Sequence, residues 1–204
     1  MKRLHELLAF PADSDFQSKA KDLMLNFRIE KTSGGRKTYY YINEIELYYY
    51  SKEHPDESVH PHFYKDKGLF RTHFSGVDIT FKSNWEGYEE AIRNQFKKAD
   101  HNPWVDINVI RSILNANPAI QYGGLLIREI EEEGSKYPVK GPWRVLCELF
   151  YMGDANDIRL ELTENPNPRN ENDYQPVTPK PRKNLGKNAR MFRDEKFNFS
   201  LKKK

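Results

Sequence analysis

The 204-residue sequence has a single cysteine, Cys147, and no long hydrophobic run. One cysteine excludes an internal disulfide and any metal site built from several cysteines. It also favours a reducing compartment, with the cytoplasm as the default. No apolar segment approaches the roughly 18–20 residues that a membrane-spanning helix needs. The first ten residues, interrupted by His5 and Glu6, lack the apolar core of a signal peptide. The sequence therefore predicts a cytoplasmic protein with no membrane anchor.

Hydrophobic residues make up 37% of the chain and charged residues 31%, a polar balance for a folded protein. Aromatic residues nevertheless reach 13%, whereas disordered chains are poor in them. A length of 204 residues suits one domain. The composition therefore predicts a single packed domain over residues 1–204.

The net charge is +3, which permits nucleic-acid binding without requiring it. The basic residues are unevenly distributed, and ten of them lie between Lys180 and Lys204, opposed only by Asp194 and Glu195. This C-terminal segment is a candidate surface for backbone phosphates. The alternative for its last three lysines is a solubilising tail.

The pattern of apolar residues predicts alternating helices and strands. A helix over residues 18–27, capped by Asp13 or Ser14, precedes a turn at 31–36 and a long strand at 37–50. We then expect, in chain order, a loop at 51–67, strands within 68–81 around a bulge or turn at Ser75–Gly76, a mainly helical stretch at 82–122, a strand at 123–130, a helix after Gly141–Pro142 to 150, a Pro- and Asn-rich loop at 165–181 and a closing strand at 191–201. This order predicts the α+β class.

Two glutamates of the long strand are candidates for catalysis. Strict alternation places Ile42, Glu44, Glu46 and Tyr48 on one face, which is unusual for a core face and indicates solvent or a site. A carboxylate beside aromatic rings on a rigid strand suits a general base. Alternation does not choose between the two glutamates, and simple pairing with nearby Lys or Arg is the alternative.

Two further groups of residues give weaker indications of a functional site. His60 and His62 form a His-x-His pair that could bind a metal, with Glu46 or His73 as a third ligand, although loop histidines before strands are common. Cys147 lies in an apolar helical stretch, which predicts a buried and inert thiol. No glycine-rich phosphate loop or nucleophile elbow is present.

Several segments match family motifs in order across most of the chain. Residues 42–48 (INEIELY) align with a strand of the type Ile-Val-Glu-Thr-Glu-Ala-Tyr, and residues 125–131 (LLIREIE) with a strand of the type Leu-Leu-Ile-Arg-Ala-Leu-Glu. Residues 141–149 (GPWRVLCEL) align with Gly-Pro-x-Lys-Leu-Cys-Gln-Ala-Leu, the most specific match. The chain thus resembles the alkyladenine (3-methyladenine) DNA glycosylase family.

The resemblance implies a fold and an activity. The fold would be a curved antiparallel sheet with peripheral helices, similar to that of alkyladenine DNA glycosylases and of the formyltransferase C-terminal domain, here with an insertion at 82–122. The activity would be base excision repair, in which an alkylated or deaminated purine is flipped from the duplex and cleaved from its sugar. Glu46 would be the catalytic base that activates water, with no cofactor and no metal.

The resemblance also assigns contacts. Tyr48 would stack on the flipped base, His60 or His62 would line the base pocket, and Phe74 or His73 stands near the family's wedging tyrosine. The expected phosphate contacts are Arg128, Arg144, Arg182 and Lys183. The expected partner is double-stranded DNA, bound by a monomer, which in a bacterium would place the protein on the nucleoid. A catalytically inactive nucleic-acid-binding or interaction scaffold of the same fold is the alternative function.

Overall fold

A computed structural model of the chain describes residues 7–8, 15–51, 54, 56, 58–59, 68–73, 75–81, 121–150, 157–175, 177–183, 185 and 195–204. In chain order the elements are α1 (Phe16–Asn26), β1 (Phe27–Ser33), β2 (Arg36–Tyr50), β3 (Phe70–His73), β4 (Gly76–Thr80), β5 (Tyr122–Glu132), β6 (Val139–Lys140), α2 (Pro142–Phe150), β7 (Arg159–Glu164) and β8 (Asn198–Ser200). The predicted α+β class is confirmed, and the predicted helical stretch at 82–122 lies outside the described residues except for its last two.

The strands form one antiparallel sheet with the order β3-β4-β5-β2-β1-β7, extended by β6 on β5 and β8 on β2. The long strand β2 is central. It pairs with β5 along one edge, and along the other edge with β1 over its first half and with β8 near Glu46. Both helices contribute to the hydrophobic core of the sheet, α1 through Leu23 and Met24 and α2 through Val145 and Leu149.

The beginning of the chain differs from the sequence prediction. Helix α1 is capped by Asp15, whose side chain accepts from the Ser18 N–H at 2.9 Å, and not by Asp13 or Ser14. The predicted turn at 31–36 narrows to Gly34–Gly35, because β1 runs to Ser33. Both glycines have positive φ, as a two-residue hairpin turn requires. β7 was not predicted, although Leu160 and Leu162 alternate along it.

The alternation predicted for β2 is wrong at its start. The register with β5 shifts around Glu44, so that Ile42 lies in the core with Ile45 and Leu47, while the Asn43 side chain turns to the opposite, polar face. A β-bulge adds one residue and reverses the faces on either side of it. Glu44, Glu46 and Tyr48 still share the polar face.

The close contact between β2 and β5 explains why position 123 is occupied by glycine. A Cβ at this position would lie 2.4 Å from the main-chain oxygen of Tyr48 and 2.8 Å from the Cβ of Tyr49. Backbone contacts of this kind leave no room for a side chain, so glycine is required for the pairing of the two strands.

Candidate functional site

The polar face of β2 holds a buried carboxylate with four hydrogen-bond donors. Glu46 has no exposed surface. Its Oε1 accepts from the Lys183 main-chain N–H at 2.7 Å and from Asn198 Nδ2 at 3.1 Å. Its Oε2 accepts from Arg128 Nη1 at 2.9 Å and from the Tyr48 hydroxyl at 3.0 Å. We call these five residues the Glu46 cluster.

Strand pairing brings the cluster together from distant parts of the chain. In the sheet Glu46 lies between Leu126 of β5 and Asn198 of β8. Arg128 lies two residues along β5 from that pairing and reaches back to the carboxylate. The main chain of Lys180 in turn bridges to that of Asn198, which places the Lys183 N–H over the site.

A second carboxylate adjoins the cluster. Glu44 Oε1 accepts from Lys183 Nζ at 2.5 Å and from Asn198 Nδ2 at 2.8 Å, and it lies 3.6 Å from Arg128 Nε. Burial by itself raises the pKa of Glu44, but the hydrogen bonds from Asn198 and Lys183 and the nearby cations outweigh it and leave the pKa below its ordinary value. Glu44 is therefore ionised at neutral pH.

Tyr48 connects the cluster to a buried ion pair. The Arg182 guanidinium lies over the Tyr48 ring, 4.6 Å from its centroid, and Arg182 Nη1 donates to Asp56 Oδ2 at 2.5 Å. The side chains of both partners of this pair are buried. Burial and the charge of Glu46 raise the pKa of Tyr48 far above its ordinary value, so its hydroxyl stays protonated and remains a donor.

The structure brings together five of the residues that sequence analysis assigned to a site: Glu46, Tyr48, Arg128, Arg182 and Lys183. Arg144 lies apart, exposed beside a groove between α2 and the β1–β2 hairpin. His60, His62 and Phe74 lie outside the described residues.

The contacts of the two buried arginines differ from those expected. Arg128 and Arg182 were expected to bind phosphates, but their exposed fractions are 8% and 5% and each pairs with a carboxylate. Both therefore organise the interior of the site instead of presenting a cation to solvent.

Further predictions concern two reactive side chains, Cys147 and His73. Cys147 is half-buried and lines the same groove as Arg144, so the prediction of a buried thiol is wrong. The core side of α2 is taken by Val145 and Leu149, and residue 147 projects elsewhere on the helix. His73, which was considered for a metal or a wedge, lies 3.0 Å from Asp78 Oδ1 and accepts from the Ser75 N–H at Nδ1.

Sequence analysis missed Asn198 and Asp56. Asn198 is almost fully buried and donates to both glutamates, while Asp56 neutralises Arg182. The available pattern was the alternation Phe197-Asn198-Phe199, in which a polar residue stands between two aromatic residues of a closing strand. Asp56 stands in a polar loop segment, and no pattern distinguishes it there.

The hydrogen bonds define what Glu46 can do chemically. Two carboxylate oxygens offer about four acceptor positions, and four donors already occupy them. Arg128 compensates the buried negative charge of Glu46. Glu46 can accept a proton from water only when one of the four donors is released.

The described residues offer little for a metal ion. No group of three or more His, Cys, Asp or Glu side chains among them is arranged as a metal site. No helix in the described part of the chain is long and apolar enough to cross a membrane.

Comparison with known proteins adds no relative, because no family model, curated protein or solved structure matches the chain.

Proposed function

We propose that the chain is a monofunctional DNA glycosylase of the alkyladenine type, in which Glu46 activates the water that cleaves the N-glycosidic bond. One observation carries the proposal. Two segments that the family resemblance selects far from the strand of Glu46 bring Arg128 Nη1 and the Lys183 main-chain N–H to its carboxylate, beside Tyr48 of the same strand. A purely accidental resemblance gives no reason for these segments to meet at one side chain.

The chemistry suits a fixed carboxylate. Cleavage of an N-glycosidic bond passes through an oxocarbenium-like sugar, which a nearby carboxylate stabilises while it takes a proton from the attacking water. The target base must first leave the duplex, at a cost of a few kcal/mol, and stacking on an aromatic ring offsets about 1–3 kcal/mol of it. Water is the nucleophile, so the reaction requires no cofactor.

The donor that must be released is Tyr48. The guanidinium of Arg128 and the amide of Asn198 are each fixed by a further contact with Glu44, and the Lys183 donor is part of the main chain. The Tyr48 hydroxyl is the only one of the four that can turn its proton away by rotation about a single C–O bond. In the proposed reaction this rotation frees one position on Glu46 Oε2 for water.

Release of free base from alkylated duplex DNA tests the proposal. We expect base release by the native chain and a loss of about 10²–10⁴-fold in Glu46→Gln, the usual contribution of a general base. Glu131→Gln is the matched control, because Glu131 is a partly buried carboxylate of β5 that binds Lys203 and Asn43 outside the Glu46 cluster. No release by the native chain, or equal release by the native chain and Glu46→Gln, would refute the catalytic role.

A nucleic-acid-binding scaffold without catalysis is the second candidate. The observation that favours it is the complete burial and full hydrogen bonding of Glu46, which are typical of a structural carboxylate. The same assay separates the candidates when binding to an abasic-site duplex is measured beside it. Binding without base release assigns the scaffold, and binding with base release assigns the glycosylase.

A further inference from the structure

A separate groove lies between α2 and the β1–β2 hairpin. Its volume is about 580 Å³, within the range of about 300–1,000 Å³ that is common for ligand sites. Three cations line it: Lys31, Arg36 and Arg144. None of its lining residues belongs to the Glu46 cluster.

The two arginines of this groove are available to a ligand. Arg36 and Arg144 are both exposed, and neither guanidinium makes a hydrogen bond or ion pair with another described residue. Arg128 and Arg182 differ, because each of them forms an ion pair with a buried carboxylate. A pair of free guanidinium groups beside one groove is suited to phosphate, which arginine binds with two parallel N–H donors.

The remaining charges of the groove are mostly engaged internally. Lys31 Nζ donates to the main-chain oxygen of Glu148 at 2.7 Å, and the Glu148 carboxylate accepts from the Tyr40 hydroxyl at 3.0 Å. Burial lowers the pKa of Lys31, so its ammonium is poorly hydrated and gains from a nearby anion. Glu132 is exposed and offers an acceptor for an amino group. A ligand that carries both anions and N–H donors matches this set.

Two exposed aromatic residues lie close in sequence to residues that line the groove. Trp143 is 61% exposed and directly precedes Arg144, and Tyr137 is 83% exposed, two residues before the groove-lining Val139. Lys136 and Lys140 lie beside them in the β5–β6 turn and on β6. Exposed rings interleaved with cations are typical of surfaces that stack the bases of single-stranded nucleic acid.

We propose that Arg36 and Arg144, together with the exposed ring of Trp143, form a binding site for single-stranded nucleic acid that is separate from the Glu46 cluster. The arginines bind backbone phosphates and Trp143 stacks an unpaired base. A nucleotide supplies phosphate oxygens for the two arginines, and the exocyclic amino group of its base can donate a hydrogen bond to the Glu132 carboxylate. This site does not depend on the proposed glycosylase activity, since none of its residues contacts Glu46.

Binding of a fluorescently labelled single-stranded oligonucleotide across a salt series tests the site. Arg36→Gln and Arg144→Gln are each expected to weaken binding and to reduce the salt slope by about 0.7, the value for one single-strand phosphate contact. Trp143→Ala is expected to weaken binding about 5- to 150-fold, which corresponds to the usual stacking energy of about 1–3 kcal/mol. Lys21→Gln is the control and should leave binding unchanged, because Lys21 lies on α1 with its side chain 37% exposed, outside both the groove and the basic C-terminal segment.

Cys147 provides a second measurement, because it is the only cysteine and it lines the groove. Bound oligonucleotide should slow modification of Cys147 by a thiol reagent at least severalfold in the native chain, and this protection should disappear at high salt. Arg144→Gln should lose the protection at an oligonucleotide concentration that protects the native chain. Thermal unfolding of each variant, whose changes are all at exposed side chains, verifies that the fold is retained.

The outcomes decide between possible ligands. Native binding that the Arg36, Arg144 and Trp143 variants do not weaken would overturn the proposal, as would unprotected Cys147 in a saturated complex. If a polyglutamate peptide protects Cys147 as well as the oligonucleotide does, the groove binds anionic chains in general and the assignment to nucleic acid is wrong.

Discussion

The buried pair of Arg128 and Glu46 should be critical for stability, and its contribution can be measured. Removing the guanidinium in Arg128→Met leaves the fully buried Glu46 carboxylate without the one counter-charge that lies at hydrogen-bond distance from it among the described residues. Loss of one partner of a buried pair costs about 3–5 kcal/mol. For a chain of about this size each kcal/mol shifts the melting temperature by about 2–4 °C, so we expect a decrease of about 6–20 °C.

The chain offers a matched control for this change. Lys203 Nζ lies 2.9 Å from Glu131 Oε1, the same distance as in the Arg128–Glu46 pair, but the Lys203 side chain is 64% exposed. An exposed pair contributes about 0–1 kcal/mol. Lys203→Met should therefore change the melting temperature by no more than a few degrees, and the difference between the two variants isolates the effect of burial.

A double-mutant cycle separates charge from packing. In the Glu46→Gln background the residue opposite Arg128 is neutral, so Arg128→Met no longer strands a charge, and its cost should fall by at least about 1 kcal/mol. Urea unfolding followed by circular dichroism gives all four free energies of unfolding. Additive effects, or an Arg128→Met shift as small as that of Lys203→Met, would refute the argument that this ion pair holds the polar face of the sheet together.

Two further changes test the strand β2. The lowered pKa of Glu44 means that its ionised form stabilises the folded state at a pH above the ordinary carboxyl pKa of 4.5, and that this contribution is lost as the pH falls through the lower folded-state pKa. In urea titrations the stability difference between the native chain and Glu44→Gln should therefore shrink as the pH falls below 4.5. A difference that stays constant with pH would contradict the assignment. Gly123→Ala should lower the free energy of unfolding by about 1–3 kcal/mol, because the added Cβ would overlap the main chain at Tyr48. In the control Gly134→Ala the Cβ has open space but φ is positive, so the free energy of unfolding should fall only by the backbone strain of about 1–2 kcal/mol. Equal unfolding midpoints for the native chain and Gly123→Ala would show that β2 and β5 can move apart.

Local signals in the sequence predict most of the elements. The strand at 37–50, the hairpin around Ser75–Gly76 and the helix after Pro142 each have a continuous pattern and a nearby breaker residue, and each is confirmed within a few residues. The β-bulge in β2 is less visible because it occupies one residue. Apolar residues at 42, 45 and 47 cannot share one face of a regular strand, and this spacing is the sequence trace of the bulge.

The composition of the Glu46 cluster was only partly predictable, for a physical reason. Arg128 and Lys183 are 82 and 137 residues away from Glu46 along the chain. Contacts of that separation depend on which strands pair, and a period-2 pattern does not specify the partner strand. The family resemblance supplied the residues, but neither pattern nor resemblance indicated that the arginines would be buried and bound to carboxylates.

The distribution of basic residues along the sequence does not show which cations pair with carboxylates in the fold. The charge count in the C-terminal segment treats every cation as available, yet Arg182, Lys183 and Lys203 each pair with a carboxylate of the sheet or of the loop beside it. Glu44 and Glu131 lie on the polar face of β2 and β5, and Asp56 is buried against Arg182, so each of these cations neutralises a carboxylate that the fold partly or fully buries. The cations of this segment nearest Glu46 are thus required by the fold itself. Arg36 and Arg144 differ from these cations, because neither guanidinium pairs with a carboxylate among the residues that the structure describes. The availability of a charged side chain depends on three-dimensional pairing, so the density of basic residues along this sequence does not by itself identify a surface for phosphates.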